Sequence, residues 1–337
     1  MPATLKSIAA RVGVSVRTVG RALNGGGYVK EELRAEIART AEEMGYRPNR
    51  LAQGLRQQRS DEVVVLMNSV DELHISKVAG LERGLRDAGY VTSLVMLLGD
   101  APGASIADLL GDIQARRPAA IAWFSGGAEY NERIYDVVRR NELPYVVFGL
   151  GTPSPAGLDA VAIDRQQGVY ESVMYLSRRG RERIAYLACG EVSASQNHTR
   201  LEGYQRAMAE VGGEPQYIET TAGLSQFDQG REAGQRIVEA AIMPNAVQAF
   251  SDEVALGFLY GLHERGVRIP LDIAVVGFDN RSASQLSWPR LTTVAQPNDE
   301  LGAAAAAILL EKLSGAASPA GGWSRCLPTH LVVRETA

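Results

Sequence analysis

From Asp61 onward the chain repeats one pattern: a short apolar run, a stretch with helical periodicity, then another apolar run. The spacing predicts strands at 62–67, 91–97, 120–124, 145–148, 160–163, 183–188, 216–219, 246–250, 273–277 and 292–296. It predicts helices at 76–88, 106–116, 131–141, 166–178, 200–211, 229–241, 253–264 and 299–313. Strands separated by helices of this length pair in parallel, which defines an α/β fold. About 260 residues is too much for one ordinary open sheet, so two Rossmann-like lobes are expected. Breaks near Ile163 and Val294 place lobe crossings there. The expected division is an N-lobe of about 61–162 plus 294–324 and a C-lobe of about 163–293 plus 325–337.

Residues 1–60 follow a different rule. They hold eleven Lys and Arg against five acids, a net charge of +6, while the rest of the chain carries −10 and the whole chain −4. A small basic head on an acidic body points to a polyanionic partner for the head alone. The head is predicted to be all α. Thr4 can cap a helix over 5–12 that Gly13 stops, Ser15 can cap a second over 16–23, and a third spans about 30–44. Two helices joined by Gly13-Val14-Ser15 form a helix-turn-helix. Geometry alone also suits a helical hairpin docked on a larger domain. Charge favours the first reading, because the second helix carries Arg17 and Arg21 on one face with Thr18 beside them, and Val19, Ala22 and Leu23 on the other. Arginines facing outward from such a helix can reach guanine in a major groove.

The run from Thr4 to Val19 (TLKSIAARVGVSVRTV), with Arg21-Ala22-Leu23-Asn24-Gly25 and Gly45-Tyr46-Arg47-Pro48-Asn49-Arg50-Leu51-Ala52, resembles the head of the LacI/GalR family of bacterial repressors. The resemblance implies base reading by Val16, Arg17 and Arg21. It implies a hinge helix over 48–56, in which Leu55 wedges into the minor groove. The full set it assigns to DNA is Thr4, Ser15, Val16, Arg17, Thr18, Arg21, Asn24, Tyr46, Asn49 and Leu55. Gly20 stands where the family usually has a phosphate-binding Ser, which shifts that anchoring to Thr18, Asn24 or Tyr46.

The resemblance continues through Asp164, Gly168, Arg200-Leu201-Glu202-Gly203-Tyr204, Ser251-Asp252, Val275-Val276-Gly277-Phe278-Asp279 and Gln296-Pro297. It implies a core like that of periplasmic sugar-binding proteins, with an effector cleft lined by Asn68, Asp71, Phe124, Gly149, Arg200, Ser251, Asp279 and Gln296. Arg200 matches the effector-clamping arginine and Asp279 the hydroxyl acceptor. The loop after the first strand lacks the family's stacking aromatic, which leaves Trp123 or Phe124 as the candidate platform. Acceptors such as Asp71 suit a polyhydroxylated ligand, and Arg200 is compatible with a sugar acid.

The chain has no G-x-G-x-x-G after a strand, no G-x-x-x-x-G-K-[ST] and no G-x-S-x-G, and its four histidines are scattered. Neither a cofactor nor a metal is expected, and the chain is not read as an enzyme. Cys189 and Cys326 cannot build a disulfide framework. No apolar stretch approaches the ~20 residues of a membrane span. Residues 1–10 lack the apolar core of a secretory signal. The expectation is therefore a cytoplasmic, homodimeric repressor of residues 1–60 (head and hinge) and 61–337 (core), which binds double-stranded operator DNA and a small effector and associates with the nucleoid when bound. The readings from other classes are a solute-binding protein and a sugar-modifying enzyme with an accessory DNA-binding head.

Overall fold

The computed structural model describes residues 3–24, 28–46, 60–97, 106–126, 128–149, 157–190, 198–240, 243–317, 319 and 322–337. The expected hinge helix over 48–56, with Asn49 and Leu55, lies outside them.

The head contains α1 (Leu5–Val12), α2 (Val16–Asn24) and α3 (Glu31–Glu43). Thr4 and Ser7 close a reciprocal capping box on α1, and Gly13 ends it at φ +78°. The Ser15 hydroxyl accepts from the Thr18 amide at 3.0 Å and starts α2. Ile8, Ala9, Val19, Ala22, Val29, Ile37 and Ala41 form a small buried core among the three helices. Arg34, on α3, donates to the Ala22 carbonyl at 3.3 Å, which satisfies a carbonyl near the end of α2.

The core is built on two six-stranded sheets. The strands are β1 (Glu62–Met67), β2 (Val91–Met96), β3 (Ala120–Phe124), β4 (Tyr145–Phe148), β5 (Ala160–Ile163), β6 (Ile184–Leu187), β7 (Gln216–Ile218), β8 (Ala246–Ala249), β9 (Ala274–Asp279), β10 (Thr292–Ala295), β11 (Ser324–Leu327) and β12 (His330–Val332). The first sheet runs β11-β5-β4-β3-β1-β2 and the second β12-β10-β9-β8-β6-β7. Leaving aside the last strand of each, both lobes have the same doubly wound order, in which ligands sit at the carboxyl ends of the strands near the order reversal. The pairing is parallel for β1–β3, β3–β4, β4–β5 and β5–β11 in the first sheet, and for β6–β7, β6–β8, β8–β9 and β9–β10 in the second. The pair β10–β12 is antiparallel.

The intervening helices are α4 (Glu72–Asp87), α5 (Ile106–Arg116), α6 (Ala128–Arg140), α7 (Arg165–Arg178), α8 (His198–Glu210), α9 (Gln226–Ile237), α10 (Asp252–Glu264), α11 (Ser282–Leu286) and α12 (Asn298–Leu313). Most start one to four residues earlier than the periodicity indicates, and caps explain several of these shifts. Asp71, Asp164, Ser225 and Ser251 each accept an amide of the following turn.

The chain crosses between the sheets three times. It leaves the first sheet after Ile163, returns after Ala295, and leaves again between Leu327 and His330. The last crossing falls beyond residue 324, the expected end of the N-lobe, because Ser324, Arg325, Cys326 and Leu327 pair with Ala160–Ile163. The first and last crossings are joined to each other: the Asp164 amide donates to the Leu327 carbonyl at 2.9 Å, and the Thr329 hydroxyl to the Asp164 carbonyl at 3.2 Å.

Helices α9 and α10 meet backbone to backbone. A Cβ at Gly257 would lie 1.9 Å from the Phe227 carbonyl oxygen, and one at Gly230 would lie 2.0 Å from that of Val254. Gly257→Ala should therefore lower stability by about 1–3 kcal/mol in urea unfolding, since neither backbone can step aside. In the head the expectation reverses. A Cβ at Gly20 meets nothing within 4 Å, so Gly20→Ala should stabilise α2 by about 1 kcal/mol, read from thermal unfolding.

Candidate functional site

Two surfaces carry chemistry, one in each part of the chain. In the head, Val16, Arg17 and Arg21 are exposed on one face of α2 while Val19 and Ala22 are buried on the other. Val16 is 45% exposed although apolar. Thr18 is half-buried, its hydroxyl 2.8 Å from that of Ser15, and Thr4 and Ser15 serve as helix caps. Tyr46 packs against the head core, and its amide donates to the Ala41 carbonyl at 2.8 Å. Asn24 is the last residue of α2, and its side chain is not among those described.

In the core, a cavity of about 220 Å³ lies between the lobes. The carboxyl ends of the strands supply most of its wall: Phe124 and Ser125 after β3, Phe148 and Gly149 after β4, Ile163 after β5, Asp279 and Arg281 after β9, and Gln296 after β10. Helix α4 and its cap add Asp71, Leu73, His74 and Lys77, while Arg165 and Arg200 come from α7 and α8 and Leu301 from α12.

Asp279 is the hub of the cavity. It is 5% exposed, and its carboxylate lies 3.7 Å from Arg200 and 3.6 Å from Arg281 and accepts from Gln296 Nε2. Burial pushes its pKa up, against the pull of the two arginines, Gln296 and Lys77. Its backbone sits at φ +116° and that of Asn280 at +57°, conformations that L-residues rarely adopt. Arg334 donating to Asn280 Oδ1 at 2.6 Å, and the Asn280 amide donating to Thr293 Oγ1, hold the turn in place. The Arg200 guanidinium lies 4.3 Å from the Phe250 ring and 4.5 Å from that of Phe278. Phe124 stacks on Phe148 at 4.7 Å and takes the edge of His74 at 4.5 Å.

Two contacts among the described residues join the start of α4 to the turn after β9 across the cleft. Asp71 Oδ2 lies 3.6 Å from Arg281, and the Ser282 amide donates to Glu72 Oε1 at 2.8 Å. Burial would raise the Asp71 pKa, but hydrogen bonds from His74 together with the charges of His74 and Arg281 outweigh it. The carboxyl is held well below the usual carboxylate range.

Of the eight residues that the sequence assigns to the effector, six line this cavity: Asp71, Phe124, Gly149, Arg200, Asp279 and Gln296. Asn68 and Ser251 do not. Asn68 is exposed, and the Ser251 hydroxyl is committed to Gln226 at 2.6 Å and to the Val254 amide as a helix cap. Between the two aromatic candidates, Phe124 faces the cavity. Trp123 is fully buried on the opposite face of β3, its Nε1 donating to Asn131 at 3.2 Å. Lys77, Arg165 and Arg281 were not expected in the cavity. Among the described residues no cluster of His, Cys, Asp or Glu could hold a metal ion, and no helix is long and apolar enough to cross a membrane.

A helix-turn-helix with outward arginines, joined in one chain to a two-lobed core with a polar cleft, defines a DNA-binding regulator that responds to a small molecule. Comparison with known proteins finds a match for each part. Residues 4–49 match the family model described as bacterial regulatory proteins, lacI family, and residues 173–337 match the periplasmic binding protein-like domain. Catabolite control protein A of Priestia megaterium is 29% identical over 317 residues, covering 93% of each chain. The transcriptional repressor CytR of Escherichia coli (strain K12) is 29% identical over 337 residues, covering 98% of this chain and 95% of its own. Among solved structures, the regulator CelR in complex with cellobiose is 27% identical with a TM-score of 0.69, covering 99% of this chain and 100% of its own. A lac repressor dimer bound to operator shares the fold at a TM-score of 0.80 and 24% identity, covering 100% of this chain and 99% of its own. The chain is a DNA-binding regulator, with a head that matches the lacI family model and a core that matches the periplasmic binding protein-like domain.

Asp252 links the cleft to the sheet behind it. Its carboxylate accepts from the Arg281 amide at 2.7 Å and from Thr293 Oγ1, and burial pushes its pKa up to about 7 from 3.8. Between about pH 4 and 7 the folded chain holds a proton there that the unfolded chain releases. The stabilisation is complete below that window and is lost as pH rises through 7. Asp252→Asn should lack this decline, so its stability relative to wild type should rise by at least about 1 kcal/mol from pH 4 to pH 7 in urea titrations.

Proposed function

We propose that this protein is a repressor that binds a near-palindromic operator as a homodimer, each head laying α2 in a major groove. Residues 1–60 form the DNA-binding unit, with its hinge at 48–56, and residues 61–337 the effector-binding unit. The observation that carries the reading is the two-sidedness of α2: Val16, Arg17 and Arg21 face outward while Val19 and Ala22 hold the helix to the head core. Arg17 and Arg21 supply the bidentate donors that read guanine, and Val16 offers apolar contact to a thymine methyl. Thr4, Ser15, Thr18, Asn24, Tyr46 and Asn49 position the head against phosphate, and Leu55 of each hinge wedges the minor groove between half-sites.

The cleft takes a small polyhydroxylated effector, a sugar or sugar derivative. Asp71, Gln296 and Asp279 accept its hydroxyls, Arg200 donates to them, and the stacked Phe124 and Phe148 offer an apolar wall. The complex of CelR with cellobiose supports this reading, as does the operator-bound dimer of the lac repressor. Effector binding alters the contacts that span the cleft, Asp71–Arg281 and Glu72–Ser282, and through them the angle between the lobes. Its influence on DNA affinity equals its differential affinity for the two lobe arrangements. Such a regulator works in the cytoplasm, on the nucleoid when bound to its operator.

Selection of bound sequences from a random DNA pool tests the reading and should return a two-fold symmetric site. On that site Arg17→Ala should cost about 1–3 kcal/mol and relax base preference at one position of each half-site, read by fluorescence anisotropy at fixed salt. An equal loss on random DNA would make Arg17 a phosphate contact only.

A further inference from the structure

Among the described residues, four cations and two carboxylates line the effector cavity. Lys77, Arg165, Arg200 and Arg281 face Asp71 and Asp279. The two carboxylates are already engaged, Asp279 by Arg200, Arg281 and Gln296, and Asp71 by His74 and Arg281. Neither Lys77 nor Arg165 has a carboxylate in ion-pair range among the described residues, and the one hydrogen bond of the Lys77 ammonium is to Gln296 Oε1 at 3.2 Å. Among the described residues, the buried Nε atoms of Arg200 and Arg281 have no hydrogen-bond acceptor. A neutral sugar would leave this excess of positive charge uncompensated in a place largely withdrawn from water, where buried charge is costly unless paired.

We infer that the effector is a small hydroxylated anion, a carboxylate or a phosphate ester, whose charged group is held by Lys77, Arg165, Arg200 and Arg281. The inference rests on reading the cleft as the effector site and narrows that reading from sugars in general to acidic ones. The positions suit the assignment. Arg165 opens α7 and Lys77 lies on α4, so the first contributes from the second lobe and the second from the first. Arg281 already bridges toward Asp71 across the cleft. An anion between them would draw the lobes together, whereas without one the cations oppose each other. The strain shows in their acidity. Burial and the neighbouring Arg165 push Lys77 down to about 8, and burial with Arg200 pushes Arg165 down to about 10. Phe124 and Phe148 remain available to the ligand's carbon skeleton.

The test is thermal unfolding of the full-length protein with four probes at matched concentration and ionic strength: D-glucose, D-gluconate, D-glucose 6-phosphate and inorganic phosphate. At least one of the three anions should raise the melting temperature and D-glucose should not, because only a ligand bound by the folded state shifts it. A response to D-gluconate marks a carboxylate site, and a response to glucose 6-phosphate or phosphate marks a phosphate site. Titration of the responding anion into Arg165→Gln and Arg281→Gln should show at least about tenfold weaker binding, with Arg165→Lys recovering much of the loss. Melting of each variant in ligand-free buffer confirms that it folds. A shift with D-glucose equal to that with the anions, no shift with any anion, or unchanged anion affinity in both Gln variants would overturn the inference. Operator binding by the same preparation tests the regulator reading separately. Its failure beside an intact anion response would overturn that reading alone.

Discussion

Placing the Arg200 guanidinium between the rings of Phe250 and Phe278, against the carboxylate of Asp279, is the constraint on which the rest of the cleft depends. Removing a guanidinium from water is tolerated only where paired charge and ring faces replace hydration. The two rings come from the ends of β8 and β9, adjacent parallel strands, so the sandwich forms only if those strands are in register. Asp279 must then turn back toward Arg200 immediately after its strand, which takes its backbone to φ +116°. The turn is held from outside the cavity by Arg334 and Thr293. Backbone strain, a charge pair and two aromatic faces therefore act as one unit, and altering any of them alters what the cleft presents.

Behind that unit stands Asp252. It ties the Arg281 amide to Thr293, and it sits so close to Gly277 that a Cβ there would lie 2.3 Å from its carboxylate. Arg281 is thus fixed through its backbone while its side chain reaches Asp71 and Asp279. The contact between lobes is made by a side chain whose backbone is held within its own lobe.

The α/β alternation and the helix-turn-helix were legible in the apolar periodicity and the helix caps, whereas Arg200, Asp279 and Gln296 were marked by the family resemblance, which joins residues that local pattern does not connect. Strands β11 and β12 were not, since residues 324–332 are largely exposed and carry no apolar alternation. Lys77 is hidden in the helical pattern of α4, where a long polar side chain reads as solvated surface although it is 9% exposed. Arg165 opens a helix, an end where the dipole disfavours a cation, so no local preference marks it. Its role emerges only when the second lobe brings Arg200 and Asp279 beside it. Ser251 misled for the converse reason: a hydroxyl at a strand end invites a ligand, but it is also the preferred helix cap, and here it caps α10.

The three crossings between the sheets bear on how a ligand can be sensed. One tether would let two bodies swing and twist freely. Three neighbouring tethers, the first and last of them joined through Asp164, Leu327 and Thr329, leave them little beyond rotation about the line on which the tethers lie. A signal from the cavity is then transmitted as a single angle, and its size depends on how far from that line the ligand sits. A few ångströms of difference in where an effector is gripped would therefore change the strength of the response as well as the affinity.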